Sequence, residues 1–198
     1  TCTKYSLGPM DNNGYLLRAE EGPVVWIDAA AEAETILEAL GDTKLDTLVT
    51  THRHHDHIGA TAAIMSRTGA AGACGFPDEE AISSVTATSQ RPVWDGDTIA
   101  VGPGELDVIG IMGHTPGSIV LAWRAEDGPA HLFTGDSLFP GGVGKTWSQE
   151  DFDNLLSDVE HKLFGTYGDD TVVHPGHGDG TTLGAERPDL PEWRSRGW

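Results

Sequence analysis

The sequence predicts an α/β fold of two half-sheets covered by helices, and three observations predict it. Strand-like apolar runs and helix-like stretches alternate from one end of the chain to the other. No short-period repeat or low-complexity linker divides the 198 residues, so residues 1–198 are expected as one domain with a sizeable core, residues 183–198 forming a short extension. Finally, polar turns bearing glycine or proline follow several of the strand-like runs directly, which is where open α/β sheets place their ligands.

Taken in order, Gly14–Arg18 and Val24–Asp28 read as two strands joined around Glu21-Gly22-Pro23, a hairpin signal. Ala29–Leu40 is rich in Ala, Leu and Glu and stops at Gly41, as helices do. Leu45–Val49 is an apolar strand, and Ile58–Met65 a helix. Ala71–Gly75 reads as a short strand, and Pro77-Asp78-Glu79-Glu80 as a helix start, with acidic residues favoured in the first turn. Leu106–Ile111, Ser118–Trp123 and His131–Thr134 are strands, and Gly141–Lys145 is a glycine-rich loop. Ser148 and Asp151 stand in capping-box-like positions for a helix running to about Phe164. Thr171–Val173 is the last strand, and the polar tail from Leu183 holds one short helix.

Composition narrows the function. An apolar content of 38% with 22% charged residues is that of a folding chain. No apolar stretch is long enough to span a membrane and no secretory signal is visible. Cys2 and Cys74 lie far apart and form no metal or redox motif, so a reduced, cytoplasmic protein is the simplest expectation, with a disulfide between them left open. The formal net charge of −19, from 12 basic and 31 acidic residues, opposes nucleic-acid and anionic-membrane partners. By itself it speaks only for solubility.

The chemistry concentrates in Thr51-His52-Arg53-His54-His55-Asp56-His57, where four imidazoles and a carboxylate fill six consecutive positions after a strand. Such a cluster suits zinc or a similar borderline metal. Its bland alternative is a polar loop that happens to be rich in histidine. Three later turns make that alternative harder to hold, because each offers a ligand-type residue after a strand: His114, Asp136 and His177. Four such groups could hold one metal with an open position, and seven suggest two metals with a carboxylate between them.

These residues resemble the metallo-β-lactamase superfamily. Residues 51–57 match its His-x-His-x-Asp-His signature. Gly113-His114-Thr115-Pro116-Gly117-Ser118, Phe133-Thr134-Gly135-Asp136-Ser137 and Pro175-Gly176-His177-Gly178 match its later motifs in the same order. The resemblance implies an αββα sandwich. It implies that His52, His54 and His114 bind one metal, that Asp56, His57 and His177 bind a second, and that Asp136 bridges them. The Pro-Gly-His-Gly turn and the bridging aspartate resemble the small glyoxalase II-like hydrolases, which cleave thioesters. Only 20 residues follow Gly178 (198 − 178), fewer than the C-terminal helical domain with which glyoxalase II helps hold glutathione, so the thiol is left open. Gly144-Lys145 resembles the Gly-Lys pair near which that enzyme holds its thiol substrate.

The expected function is therefore hydrolysis of a small-molecule thioester or ester by hydroxide generated at two metal ions. Zinc is the first choice, with iron or manganese as alternatives. Asp56 and Asp136 would orient the hydroxide, and Lys145 would meet an anionic group of the substrate. A mononuclear iron persulfide dioxygenase and a non-catalytic metal-binding module are the competing readings. A nuclease is disfavoured by the acidic charge.

Other residues are expected to be ordinary. His55 faces solvent, His174 stands behind the ligands at most, and His131 and His161 are surface residues. Asp28 either hydrogen-bonds a ligand from behind or caps the following helix. Trp94, Trp123, Trp193 and Trp198 pack; Trp147, beside the Lys145 loop, is the one that could face substrate.

Overall fold

The computed structural model describes residues 1–124 and 127–197. Its first half runs β1 (Cys2–Leu7), β2 (Asn12–Leu17), β3 (Val25–Ile27), α1 (Ala33–Leu40), β4 (Thr47–Thr50), α2 (His55–Ile58), α3 (Thr61–Thr68), β5 (Ala71–Gly75), α4 (Glu79–Thr86) and β6 (Gln90–Val93). The second half runs β7 (Thr98–Val101), β8 (Gly104–Gly110), β9 (Ile119–Arg124), β10 (Ala130–Gly135), β11 (Leu138–Phe139), β12 (Gly142–Val143), α5 (Gln149–Asp158), β13 (Val172–Pro175), β14 (Thr181–Thr182), α6 (Leu183–Glu186) and α7 (Leu190–Arg196).

Each half makes one six-stranded sheet, in the orders β1-β2-β3-β4-β5-β6 and β14-β13-β10-β9-β8-β7. The period-two alternation of the strands sorts their side chains into layers. Val25, Ile27 and Val49 face inward and meet Val108, Leu121 and Phe133 of the second sheet. Trp26 and Leu48 face outward and pack on Ile36, Leu40 and Ile64 of the helices over the first sheet. Val120, Ala122 and Leu132 face outward on the other side, beneath Phe152, Leu155 and Leu156 of α5. A one-residue register slip in β3 would exchange Trp26 for the smaller Val25 and Ile27 on the outer face, so packing on both faces pins it. The result is the αββα sandwich.

β3, β4, β5 and β6 run parallel, as do β10 and β13. Parallel neighbours end at the same edge of a sheet, so the turns that follow β3 and β4, and those that follow β10 and β13, come together. Backbone bonds tie these ends: Ile119 N–H donates to Thr51 O (2.9 Å) and Gly176 N–H to Gly135 O (2.8 Å).

Several elements differ from the sequence reading. β1 lacks an apolar alternation because it is an exposed edge strand; only its last residue, Leu7, is buried. The helix expected from Ala29 begins at Ala33, because Asp28 (φ 57°) and Glu32 (φ 53°) adopt left-handed backbone that no helix continues. The helix expected over Ile58–Met65 is broken, because Ala60 N–H leaves the helical ladder to donate to Ala29 O (2.9 Å). The tail, expected as a polar extension, joins the core: Leu183 and Trp193 are 0% and 1% exposed within the layer beneath α5. Trp198 lies outside the described residues. Among those residues no helix is long and apolar enough to cross a membrane, and Cys2 and Cys74 are both free thiols.

Candidate metal centre

The loop after β4 and the short helix α2 bring His52, His54, Asp56 and His57 to the sheet edge, while His55 points away with its side chain 89% exposed. The β8–β9 turn adds His114, the turn after β10 adds Asp136, and the turn after β13 adds His177. All seven expected ligands meet. His52, His54 and His114 form one group, and Asp56, His57 and His177 another. In each, one ligand-type atom per residue lies within 4.8 Å of the others.

Asp136 stands between the groups. Its Oδ2 is 3.6 Å from His114 Nε2, 4.0 Å from His52 Nε2 and 3.4 Å from His177 Nε2, and its Oδ1 is 3.3 Å from His57 Nε2. The second group closes through Asp56 Oδ2, 3.3 Å from His177 Nε2 and 3.7 Å from His57 Nε2.

Four imidazoles are oriented from behind. His57 Nδ1–H donates to Asp28 Oδ2 (2.8 Å), and His52 Nδ1–H to Thr51 Oγ1 (3.0 Å), whose own hydroxyl donates to Asp28 Oδ2 (2.8 Å). His114 Nδ1–H donates to the carbonyl of Lys145 (2.7 Å) and His177 Nδ1–H to the carbonyl of Met10 (3.0 Å). Each such bond fixes the tautomer and turns the Nε2 lone pair inward.

Asp28 therefore supports ligands rather than capping α1, where Glu32 takes the cap position. Its Oδ1 also accepts from Thr51 N–H (2.8 Å), so one buried carboxylate holds both ends of the His52–His57 loop. Glycine is required twice in this packing. Gly135 has φ 47°, and a Cβ there would lie 2.6 Å from Thr51 Oγ1. A Cβ at Gly176 would collide with Asp136 Oδ1 and His57.

The residues fit a cation. His52 Nε2, His114 Nε2 and Asp136 Oδ1 are buried and lack hydrogen-bond partners, yet all face one space. Leaving such groups unmatched costs about 1–3 kcal/mol each, a cost that metal coordination removes.

Electrostatics divides the two groups. Burial, reinforced by neighbouring histidines, depresses the pKa values of His52, His54 and His114, most strongly at His52, so these rings are neutral donors at pH 7. At His57 burial opposes the charge, but Asp28 and Asp136 outweigh it and raise the pKa to about 10. His177 is raised chiefly by its contact with Asp136. Burial pushes Asp136 up, but His177 and His57 outweigh it and hold the carboxyl well below the usual range. Asp56 is lowered too, its burial outweighed by the bond from Asn12 Nδ2 (3.0 Å). The Asp28–Asp56–Asp136 side thus attracts positive charge, and a cation entering it displaces a proton.

Lys145 is exposed, its Nζ 4.5 Å above the ring of Trp147, which in turn lies 6.4 Å from His54. A groove of about 330 Å³ opens beside His54 and His114 between Arg53, Met112, Pro116 and Trp147. A larger hollow of about 430 Å³ under Arg18 and Trp123 includes none of the metal-type groups.

Among the supports that went unread in the sequence are Met10, Asn12, Thr51 and the Lys145 carbonyl. The start of β2 clasps the His177 turn: Asn13 N–H donates to Gly176 O (2.8 Å), and Tyr15 hydroxyl to Pro175 O (2.6 Å). The run Asp11-Asn12-Asn13 was the available signal, a polar turn that ends in buried asparagines.

Comparison with known proteins shows the family and the fold. Residues 7–179 match the family described as the Metallo-beta-lactamase superfamily. The chain is 29% identical to the protein named hydroxyacylglutathione hydrolase GloC of Haemophilus influenzae, covering 93% of each chain. A longer relative, named hydroxyacylglutathione hydrolase, from Polaromonas sp. is 34% identical over 84% of this chain, which spans only 62% of it. The solved structure of TTHA1623 in a di-iron-bound form superposes with a TM-score of 0.76 at 29% identity, covering 93% of this chain and 96% of that one. ETHE1 from Myxococcus xanthus superposes with a TM-score of 0.82 at 26% identity, covering 98% and 85%.

Proposed function

The chain belongs to the metallo-β-lactamase superfamily, and on that premise we propose that it is a dinuclear metal-dependent hydrolase of small-molecule thioesters. One observation carries the reading: the Asp136 carboxylate lies between the two ligand groups, and its Oδ1, His52 Nε2 and His114 Nε2 are buried with no hydrogen-bond partner. In this reading His52, His54 and His114 hold one metal, Asp56, His57 and His177 the second, and Asp136 both. Two cations held there supply Lewis acidity and make hydroxide available near neutral pH. Zinc is the proposed metal; the di-iron form of TTHA1623 makes iron the alternative to test.

The chain's own residues do the rest. Asp56 and Asp136, kept ionised by their surroundings, accept hydrogen bonds from the attacking water and orient it. The Asp28 and Thr51 bonds hold His52 and His57 so that the two groups keep their spacing. The exposed faces of Met112 and Trp147 border the groove and offer apolar contact to the substrate. Lys145 offers charge to an anionic group on the thiol half. The names of the curated relatives support a thioester as the substrate class.

The test is a metal count on protein purified without added metal, paired with a thioester assay. About two ions per chain and metal-dependent thioester cleavage are expected. A single iron per chain with oxygen uptake would replace the hydrolase with an iron dioxygenase.

A further inference from the structure

The centre rests on a second buried carboxylate, Asp78, which belongs to neither ligand group. Asp78 ends the Phe76–Asp78 turn between β5 and α4 and is 0% exposed. Its Oδ2 accepts from the backbone N–H of Arg53 (3.0 Å), the residue between His52 and His54. The same oxygen accepts from the hydroxyl of Thr115 (2.6 Å), the residue after His114. Its Oδ1 accepts from the N–H of Gly117 (3.0 Å) in the same turn, and the Arg53 Nε lies 3.8 Å from it. Thr115 is in turn braced by Ser118, 2.7 Å between hydroxyls. Gly117 passes so close that a Cβ there would collide with Asp78 itself.

We propose that Asp78 is a positioning residue for the metal centre: its carboxylate clamps the turn bearing His52 and His54 to the turn bearing His114, so that three imidazoles from two separate loops converge on one cation. This rests on the dinuclear reading above and assigns a support to one half of it. Asp28 does the corresponding work for His57 and the start of the same loop, through different atoms. Every protein group bonded to Asp78 is a donor, so the site needs an acceptor on both oxygens. Asparagine supplies one acceptor oxygen and an amide that only donates. It can keep the Arg53 and Thr115 side or the Gly117 side, never both, so the clamp loses either its Gly117 anchor or its hold on the Arg53 N–H and is loosened in both cases.

The measurement is Zn²⁺ affinity of metal-free protein, titrated against a chromophoric chelator in two backgrounds. In Asp56→Asn the His52–His54–His114 group is left intact; in His54→Ala the Asp56–His57–His177 group is. Adding Asp78→Asn should weaken Zn²⁺ binding roughly 10- to 100-fold in the first background and less than about twofold in the second. Ile36→Val, in the core under the first sheet's helices, is the stability control: it lowers the thermal midpoint of the metal-free protein and moves neither affinity. Equal losses in both backgrounds, or none in the first, would overturn the clamp. Should Asp78→Asn fail to fold, Thr115→Val removes only the hydroxyl donor and should give a several-fold loss confined to the first background; no loss there overturns the proposal equally. A parent chain that takes up no Zn²⁺, iron or manganese sinks the metal-centre reading and this inference with it. A parent that binds about two ions, with Asp78→Asn without effect, removes Asp78 alone.

Discussion

The strands β10 and β13 carry a histidine pair within the sheet and feed the metal-type groups at their ends, and the two meet opposite fates. Within β10 and β13, His131 Nδ1 and His174 Nε2 share a hydrogen bond of 2.9 Å, and their rings stack at 5.2 Å with 9° between planes. His174 lies on Phe133 (4.8 Å) and His131 beside Trp123 (5.4 Å). Neither joins a group of metal-type ligands among the described residues. At the C-terminal ends of these strands Asp136 and His177 instead join unmatched nitrogens and carboxylates. Histidine density is thus a poor marker. What separates the two clusters is where the second ring nitrogen goes. At the centre, protein acceptors take the Nδ1 hydrogens of His52, His57, His114 and His177 and leave Nε2 free to coordinate. In the strand pair one nitrogen of each imidazole is taken up by the other ring.

Removing the shared carboxylate should break the contrast most completely. Asp136→Ala takes a ligand from both groups, so activity and metal affinity should fall by more than the roughly 100-fold that loss of a supporting hydrogen bond causes. Metal analysis with thioester turnover checks it, and retention of both ions would show that Asp136 bridges nothing.

Next comes the support beneath. Asp28→Asn cannot accept from both Thr51 N–H and His57 Nδ1–H, so His57 should lose its orientation. Metal affinity should drop about 10- to 100-fold while the chain still folds. An unchanged titration would make Asp28 a purely structural residue.

A smaller effect is expected at the rim. Lys145→Ala should raise KM for an anionic thioester several-fold, about 1 kcal/mol or less for an exposed charge, with kcat nearly unchanged and a neutral thioester unaffected. Its carbonyl bond to His114 survives the substitution, so the change reads the ammonium alone. Equal kinetics on both substrates would remove Lys145 from the site.

Least affected in activity should be His174→Phe, which keeps the stack and leaves the centre untouched. Its signature lies in the pH dependence of stability. Burial, then repulsion from His131 and Lys4, pushes His174 down to about 4 in the folded chain, from an ordinary value near 6.5. Between those values the unfolded chain binds the proton and the folded chain does not. The stability is therefore fully present above about pH 6.5 and is lost as pH falls toward 4. The thermal midpoint of metal-free His174→Phe, relative to the parent, should rise as pH falls through that window. A constant difference between the two would contradict the depressed value.

His131 shows where side-chain reading falls short. It was expected to be an ordinary surface residue, but it is half-buried and bonded across the sheet. Period-two alternation assigns a face, not the partner on the next strand. The seven ligand-type residues were legible because each carries its chemistry in its side chain and sits on a turn whose glycine or proline is visible. The capping of α5 by Ser148, which accepts from Asp151 N–H at 3.1 Å, was legible for the same reason: its partner is three residues away.

By itself the sequence determined which side chains could bind metal, the order in which strands deliver them, and two half-sheets covered by helices, since alternation and turn chemistry are local properties; the αββα sandwich followed from the resemblance its motifs carry. Only the tertiary structure decided how those side chains are aimed. Met10 and Lys145 act through backbone carbonyls, which every residue possesses and none advertises. The Met10–His177 bond joins positions 167 residues apart, and the Asp78–Thr115 bond positions 37 apart. The stretch from Leu183 read as a polar tail, although Trp193 was expected to pack, because the surface that Leu183 and Trp193 cover is assembled from α5 and the strands beneath it. Such partners come together only when both sheets have packed, because the positions of acceptors and apolar surfaces in space are set by the fold as a whole.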